Sequence, residues 1–192
     1  AKEASVIDEL IQNLSKTFQL EDQGAVNDFL GVRILKDSAQ RTFSITQPGS
    51  IESIIKDLGL DSSSNSKTTP ADGILHPDPN GAPREDSWNF RSVIGKLNFL
   101  AQNTRQDISM AVHQCARFCS KPTKLHEIAV KRIARYLIFT KDKGIIMTPT
   151  QDFRLDMYVD ADFAGMWHQE HSALRDSVLS RTGYIITYCG CP

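Results

Sequence analysis

The chain has 192 residues, 40% of them hydrophobic and 23% charged, and a formal net charge of −1 at pH 7. This composition is ordinary for a globular protein with a core, and it excludes collagen-like, low-complexity and disordered chains. Since no apolar run is long enough to cross a bilayer and no basic leader precedes one, we expect a soluble intracellular protein, cytoplasmic or nuclear. Position 1 is Ala rather than Met, which is compatible with a longer upstream chain.

The net charge hides an uneven distribution along the chain. Residues 1–103 hold 10 basic and 14 acidic side chains, residues 104–144 hold 9 and 3, and residues 145–192 hold 3 and 6. The three segments therefore carry charges of −4, +6 and −3. A basic middle beside an acidic end is typical of a nucleic-acid-binding surface next to a carboxylate cluster, and equally of two regions that attract each other.

The beginning of the chain predicts a helix–hairpin–helix unit. Residues 4–18 place their apolar side chains at helical spacing, which predicts an amphipathic helix. Residues 27–35 and 41–47 flank a polar turn and predict a β-hairpin. Pro48 then opens a second helix, which Gly59 ends.

A segment of different composition, residues 61–87, separates this unit from three predicted helices. Its serines, prolines and glycines indicate an extended crossover or linker. The first of the following helices is predicted to carry its apolar residues on one side: Phe90, Val93, Ile94, Leu97, Leu100 and Ala101. It also contains Gly95, which is unfavourable by about 1 kcal/mol relative to alanine and so predicts a close helix–helix approach. The apolar residues that we expect to face inward on the third helix are Leu125, Ile128, Ala129, Ile133, Tyr136 and Leu137.

Basic side chains are concentrated on the third helix and just after it. The candidates for nucleic-acid contact are Lys124, Lys131, Arg132, Arg135, Lys141 and Lys143. Several of them share one helix face and could follow a phosphate backbone, which predicts an RNA/DNA or DNA duplex as partner. An ordinary solvated face is the alternative, but such faces usually mix in acidic residues. Here Glu127 and Asp142 are the only two in the stretch.

The C-terminal residues predict an antiparallel set of three strands. These are residues 145–147, 153–162 and 183–188. The middle strand alternates apolar and polar residues, with Asp160 and Asp162 two positions apart on its polar side. Carboxylates on a rigid strand suit Mg²⁺ or Mn²⁺, so weak metal binding at these aspartates is one prediction and a plain solvated strand face is the other.

Two further groups could supply metal ligands. The cysteines are Cys115, Cys119, Cys189 and Cys191. A four-thiolate zinc site is conceivable, but the spacing matches no common zinc motif, and we interpret them as reduced structural cysteines. The polar stretch before the last strand contains His168, Glu170, His171 and Asp176. On such a polar loop, plain solvent-exposed sequence is the more typical interpretation.

Short motifs along the chain, taken in order, resemble the Pol polyprotein of copia-type LTR retrotransposons. They are DFLGV at 28–32, TQ at 46–47, TPA at 69–71, FRSVIGKLNFLA at 90–101, TRQDI at 104–108, KP at 121–122, KRIARYL at 131–137, DADFAG at 160–165 and SRTGY at 180–184. Each motif is weak alone, but the ordered set covers nearly the whole chain and is specific. Gln106 stands where the family usually has proline.

The resemblance implies an α+β fold built from reverse-transcriptase and RNase H pieces. Residues 1–60 would be the end of a palm/thumb-like helix–hairpin–helix unit, and residues 61–87 a linker. Residues 88–144 would form a three-helix, thumb/connection-like region, and residues 145–192 the N-terminal part of a truncated RNase H-like antiparallel sheet. The hairpin would position the primer end, and the helices would hold the template–primer duplex.

The resemblance also implies that the chain is catalytically incomplete on its own. The family's polymerase site is a Tyr-x-Asp-Asp turn that is expected upstream, and this sequence has no adjacent Asp pair. Asp160 corresponds to the first RNase H carboxylate; the later ones are expected beyond residue 192, and Asp162, Glu170 and Asp176 match none of them. The open sheet edge predicts either pairing with a second copy or another chain, or a fold in which the helices cover the edge. The alternatives are a co-opted interaction protein and an active polymerase and RNase H completed by flanking sequence.

Overall fold

A computed structural model of the chain describes residues 4–61, 65–173 and 178–192. Within these residues, five α-helices combine with two antiparallel sheets, so the predicted mixed α and β content is confirmed. The helices are α1 (Ala4–Ser15), α2 (Pro48–Asp57), α3 (Phe90–Asn103), α4 (Ser109–Ala116) and α5 (Lys124–Phe139). The strands are β1 (Asp28–Phe29), β2 (Val32–Asp37), β3 (Thr42–Thr46), β4 (Ile145–Met147), β5 (Leu155–Ala161) and β6 (Thr182–Tyr188). Across the described ranges, none of the helices has the length and apolar character needed to cross a membrane.

The first sheet has four antiparallel strands in the order β1-β2-β3-β4. β2 and β3 form the predicted hairpin, with Asp37 opposite Thr42 beside its turn. The Asp37 carboxylate accepts the backbone N–H groups of Ala39 and Gln40 at 2.9 and 3.0 Å, so the side chain itself stabilises the turn.

β4 belongs to this first sheet and not to the later strands. Phe43 of β3 lies opposite Met147 of β4. The prediction that residues 145–147 group with the two C-terminal strands is therefore wrong. Gly144 allows the approach, because a Cβ at this position would collide with the carbonyl oxygen of Ile45.

The hydrophobic core lies among α2, α3, α4 and α5, whose buried apolar side chains form one cluster. Helix α3 begins where the side-chain oxygen of Asn89 accepts the N–H of Ser92 at 2.9 Å, as an N-cap does. Its buried residues are Phe90, Val93, Ile94, Leu97, Leu100 and Ala101. These are the six residues that the sequence predicts on one side of the helix, so that prediction is confirmed.

One prediction about the helices is wrong, and another is confirmed only in part. A Cβ at Gly95 would have nothing within 4 Å, and this glycine lines an open groove instead of contacting a neighbouring helix. On α5, the predicted inward residues Ile133 and Leu137 are buried, and Ala129 and Tyr136 pack against the core. In the first turns, however, Leu125 and Ile128 are 43% and 53% exposed, whereas His126 and Glu127 are buried. This part of the helix departs from its apolar pattern because the two polar side chains find hydrogen-bond partners inside.

The second sheet is a two-stranded antiparallel hairpin of β5 and β6. Leu155 pairs with Tyr188 at one end, and Ala161 with Thr182 at the other. The buried side chain of Met166, which follows β5, contacts Arg117 at the end of α4, with 3.7 Å between Nη1 and Sδ. The hairpin is therefore linked to the helices through the loop that joins its strands.

Candidate functional site

The carboxylate of Glu127 lies fully buried beneath the basic side chains of α5. Its Oε1 accepts from Lys131 Nζ at 2.6 Å and from Lys124 Nζ at 3.4 Å. Its Oε2 accepts the backbone N–H of Glu85 at 3.3 Å. Burial acts to raise the pKa of Glu127, but Lys131, the Glu85 N–H and Lys124 together outweigh burial, and the pKa lies below its ordinary value. Lys124 and Lys131 therefore neutralise a charge inside the protein.

Arg132 and Lys141 are also paired within the chain. Arg132 donates to Asp72 Oδ2 at 3.1 Å and to Thr69 Oγ1 at 2.9 Å, which fastens the extended segment before α3 to α5. Lys141 donates to the carboxylate of Glu52 on α2, and this hydrogen bond lowers the pKa of Glu52. Both carboxylate partners are exposed, so a phosphate could replace them at small cost.

Arg135 and Lys143 differ from the other four predicted cations. In the part of the chain that the structure describes, no carboxylate forms an ion pair with either of them, in contrast to Lys131, Arg132 and Lys141. Arg135 lies about one helical turn beyond Arg132 on α5, and Lys143 is exposed in the turn before β4. The structure thus divides the predicted set into four internally paired cations and two that are available to a ligand.

A buried arginine, to which the sequence assigned no role, joins the segment before α4 to the end of α5. Arg105 is 2% exposed and donates to both carboxylate oxygens of Asp107, at 2.9 and 2.7 Å. It also donates to the carbonyl oxygen of Thr140 at 2.9 Å. Burial acts to raise the pKa of Asp107, but hydrogen bonds from Arg105 and from the Tyr136 hydroxyl, the latter at 2.6 Å, hold it below its usual range. The Arg-x-Asp spacing was visible in the sequence, but its distant partner Thr140 was not.

The two aspartates of the predicted metal site have different surroundings. Asp160 is exposed on β5, opposite Gly183. Asp162 follows the strand, and its Oδ1 accepts the backbone N–H of Arg181 at 2.6 Å while its Oδ2 lies 3.6 Å from Arg181 Nη1. A Cβ at Gly165 would collide with this carboxylate, so the glycine makes room for it. Asp162 thus fastens the turn after β5 and is not free to join Asp160.

These residues do not fit the two-ion site of RNase H chemistry. Mg²⁺ and Mn²⁺ need several oxygens that converge on one point, and two-metal catalysis needs more. Within residues 4–61, 65–173 and 178–192, no three His, Cys, Asp or Glu side chains form a group that could hold a metal ion. Weak binding of a single ion at Asp160 stays a prediction.

The other side chains that the sequence offers as metal ligands do not form a cluster within the described residues. All four cysteines are free, and burial raises the pKa of Cys115 to about 12, so its thiol stays protonated at neutral pH. The Nδ1 atom of His168 accepts the N–H of Glu170 at 3.3 Å, which caps a short 3₁₀ turn. Asp176 and the side chain of His171 lie outside the residues that the structure describes.

Comparison with known proteins places the chain among transposon sequences. It is 31% identical over 198 aligned positions to the retrovirus-related Pol polyprotein from transposon TNT 1-94 of Nicotiana tabacum, a match that covers 98% of this chain and 14% of that protein. It is 30% identical over 181 residues to the Pol polyprotein from transposon RE1 of Arabidopsis thaliana, covering 92% of this chain and 11% of the relative. A shorter relative is the uncharacterized mitochondrial protein AtMg00810 of Arabidopsis thaliana, 29% identical over 187 residues, with 97% of this chain and 72% of that protein covered. No family model and no solved structure matches.

The chain is therefore similar, over nearly its whole length, to retrovirus-related Pol polyproteins of transposons. More narrowly, the resemblance to the copia-type LTR retrotransposons is confirmed. The chain spans about a tenth to a seventh of the length of the two polyproteins just named.

Proposed function

We propose that this chain is the duplex-holding segment of a retrotransposon Pol polyprotein. It binds template–primer or RNA/DNA hybrid through α5 and the turn that follows, and it depends on flanking sequence for catalysis. The observation that carries the proposal is the similarity to Pol polyproteins over nearly the whole chain. The charge of +6 on residues 104–144 supports it, because polyanion binding needs such a concentration of cations.

The proposal gives each region a place in the parent enzyme. The hairpin of β2 and β3 with α2 is the palm/thumb-like unit, and α3, α4 and α5 are the thumb/connection-like region. The β5–β6 hairpin is the start of an RNase H-like sheet, with Asp160 as its first carboxylate. The antiparallel pairing of β5 with β6, and the position of Asp160 on β5, agree with this assignment.

The ion pairs on α5 rank the cations by their expected contribution to binding. Within the described residues, Arg135 and Lys143 have no carboxylate partner to lose when a phosphate approaches, so they contribute most. Arg132 exchanges an exposed carboxylate for a phosphate and contributes less. Lys131 must remain with the buried carboxylate of Glu127 and contributes least.

The test is a salt titration of binding to a fluorescently labelled RNA/DNA hybrid, followed by anisotropy. We expect the slope of log affinity against log salt to fall by about two when Arg135→Gln and Lys143→Gln are combined, since each phosphate contact contributes about one. Lys16→Gln combined with Arg154→Gln removes the same charge outside the proposed surface and serves as the matched control. Equal losses in the two double variants, or no binding at physiological salt, would contradict the proposal, and the absence of binding would favour a co-opted interaction protein.

A second measurement addresses catalysis. We expect no cleavage of the RNA strand by the purified chain in Mg²⁺ or Mn²⁺, because Asp162 is held by Arg181 and the described carboxylates do not converge. Cleavage that Asp160→Asn abolishes would instead show a working nuclease site.

A further inference from the structure

Three cations of the proposed binding surface are paired with carboxylates from other parts of the chain. The pairs are Lys124 with Glu85, Arg132 with Asp72 and Lys141 with Glu52. Nitrogen and oxygen lie 2.9 Å apart in the first pair and 3.1 Å apart in the second. The partners are 39, 60 and 89 residues apart in the sequence, so it is the fold that brings each carboxylate to its cation. Glu52, Asp72 and Glu85 are called the outer carboxylates below.

The outer carboxylates differ from the buried carboxylate of Glu127. Their side chains are between 61% and 82% exposed, whereas that of Glu127 has no exposed surface. An exposed ion pair is screened by water and salt and contributes little to stability, so it can open without harm to the fold. Glu127 cannot lose Lys131 in this way, because an unpaired buried charge is strongly unfavourable. Only the outer carboxylates are therefore free to give up their cations.

We propose that the outer carboxylates promote release of the bound duplex, each by taking back its cation as a phosphate leaves; this inference rests on the proposed function. A carboxylate and a phosphodiester each carry one negative charge, and both accept hydrogen bonds from the same ammonium or guanidinium group. The cation therefore exchanges one anionic partner for another and is not left without a counter-charge. Dissociation is faster than it would be from cations that have no competing partner.

The three pairs are spread along the whole of α5. Lys124 is its first residue, Arg132 lies near its middle, and Lys141 follows its end. The 16 residues of the helix span about 24 Å. A duplex presents one phosphate for about every 1.7 Å of its axis, so a duplex lying along α5 meets all three exchange points. Release can proceed one phosphate at a time, which suits a surface along which a template–primer duplex has to advance.

Contact exchange and long-range attraction act on different rate constants. A charge near a binding surface changes mainly the association rate, because it attracts or repels the approaching ligand. A carboxylate that competes for a contact changes the dissociation rate. Asp142 provides the matched control, since it is exposed between Lys141 and Lys143 and forms no ion pair within the described ranges.

The test compares Glu52→Gln, Asp72→Asn and Glu85→Gln with Asp142→Asn. Each substitution removes one negative charge and keeps the shape of the side chain. Stopped-flow anisotropy with a labelled RNA/DNA hybrid measures association, and an excess of unlabelled hybrid measures dissociation. We expect each of the first three variants to slow dissociation about three- to fivefold, the effect of losing an exposed ion pair, and the triple variant to slow it at least about tenfold. Asp142→Asn should speed association and leave dissociation unchanged. Circular dichroism checks that every variant is folded.

Two outcomes would overturn the inference. One is a dissociation rate in the triple variant equal to that of the unsubstituted chain. The other is a slowing by Asp142→Asn as large as that by each outer-carboxylate variant, which would assign the effect to net charge.

Elution from immobilised heparin separates failure of this inference from failure of the proposed function, because heparin is a polyanion without base pairs. If the unsubstituted chain does not bind the hybrid at physiological salt, the proposed function fails. Elution of the three outer-carboxylate variants at higher salt than Asp142→Asn would then still support competition for the cations. Elution of all four variants at the same salt would overturn it.

Discussion

The helical core and the β5–β6 hairpin use similar apolar side chains with opposite results. In the core, Ile51, Leu97 and Leu137 have no exposed surface, whereas in the hairpin Met157 and Val159 are 62% and 61% exposed. The difference lies in the number of layers. Four helices enclose one another's apolar faces, but a lone pair of strands has nothing on either side. The burial that stabilises this chain therefore lies mainly in the helices.

An Arg-x-Asp pair occurs in each region, and removing the aspartate is expected to give the largest difference in the free energy of unfolding. Arg105 is 2% exposed beside Asp107, while Arg154 is 66% exposed beside Asp156, at 2.9 Å. Asp107→Ala leaves a buried guanidinium without its counter-charge and should lower the free energy of unfolding by about 3–5 kcal/mol. Asp156→Ala should change it by at most about 1 kcal/mol, because solvent screens the exposed pair. Urea denaturation of the two variants measures both values.

Similar losses from the two variants would show that the Arg105 cluster is not the anchor that its burial indicates. A control is Asp107→Asn, which keeps an acceptor for Arg105 and the Tyr136 hydroxyl and should lose less than the alanine variant.

Two glycines extend the comparison to the backbone. A Cβ at Gly144 would meet the Ile45 carbonyl oxygen and, at 2.8 Å, the Thr46 methyl group, whereas a Cβ at Gly183 on β6 would meet nothing within 4 Å. We expect Gly144→Ala to destabilise the protein by about 1–3 kcal/mol, the usual cost of overpacking. Gly183→Ala should be neutral or slightly stabilising, since it restricts only the unfolded chain. Thermal unfolding of the two variants tests this, and a harmless Gly144→Ala would mean that β4 shifts freely against β3.

The smallest expected effect is a dependence of core stability on pH. His126 stacks on Phe118 with 4.0 Å between ring centroids, and its Nδ1 accepts the Thr123 N–H at 2.9 Å. Burial holds the pKa of His126 below its ordinary value, although hydrogen bonding to the His76 carbonyl opposes the shift. The unfolded chain therefore takes up this proton at a higher pH than the folded one. Stability should decline as the pH falls below about 6.5, where an unperturbed histidine titrates.

Urea midpoints between pH 7.5 and 5.5 measure that decline. His126→Gln should flatten it, because the titrating group is gone while an acceptor for the Thr123 N–H remains. An unchanged slope in this variant would exclude His126 as the cause.

The sequence predicted those parts of the fold in which local pattern decides. The apolar face of α3 and the β2–β3 hairpin followed from periodicity and turn residues, and both are present. The prediction for the first turns of α5 was wrong because the spacing of Leu125 and Ile128 indicated core residues. The side chains that replaced them, His126 and Glu127, are buried by partners far away in sequence, including Glu85.

The other features that the sequence did not predict also depend on contacts between residues far apart in the sequence. Ile145–Met147 is too short to identify its own partner, and its pairing with β3 depends on the packing of all the helices between them. For the candidate site, the sequence located the basic residues. The neighbouring sequence does not indicate, however, that Lys131 forms an ion pair within the chain while Arg135 forms none among the described residues. That distinction comes from the buried Glu127 carboxylate, whose environment is tertiary.

Strand β3 precedes helices α2, α3, α4 and α5 in the sequence, and strand β4 follows them. The pairing of these two strands therefore connects the two ends of the helical region. During synthesis, the sheet therefore stays one strand short until the ribosome has passed Met147. Because of this pairing, a protease cut within residues 65–68 would leave two fragments that still contact each other through the β3–β4 pair and through the hydrophobic core. Residues 65–68, which are largely exposed and precede the contacts of Thr69 and Asp72 with Arg132, could accordingly accept an inserted tag or a break without releasing either half.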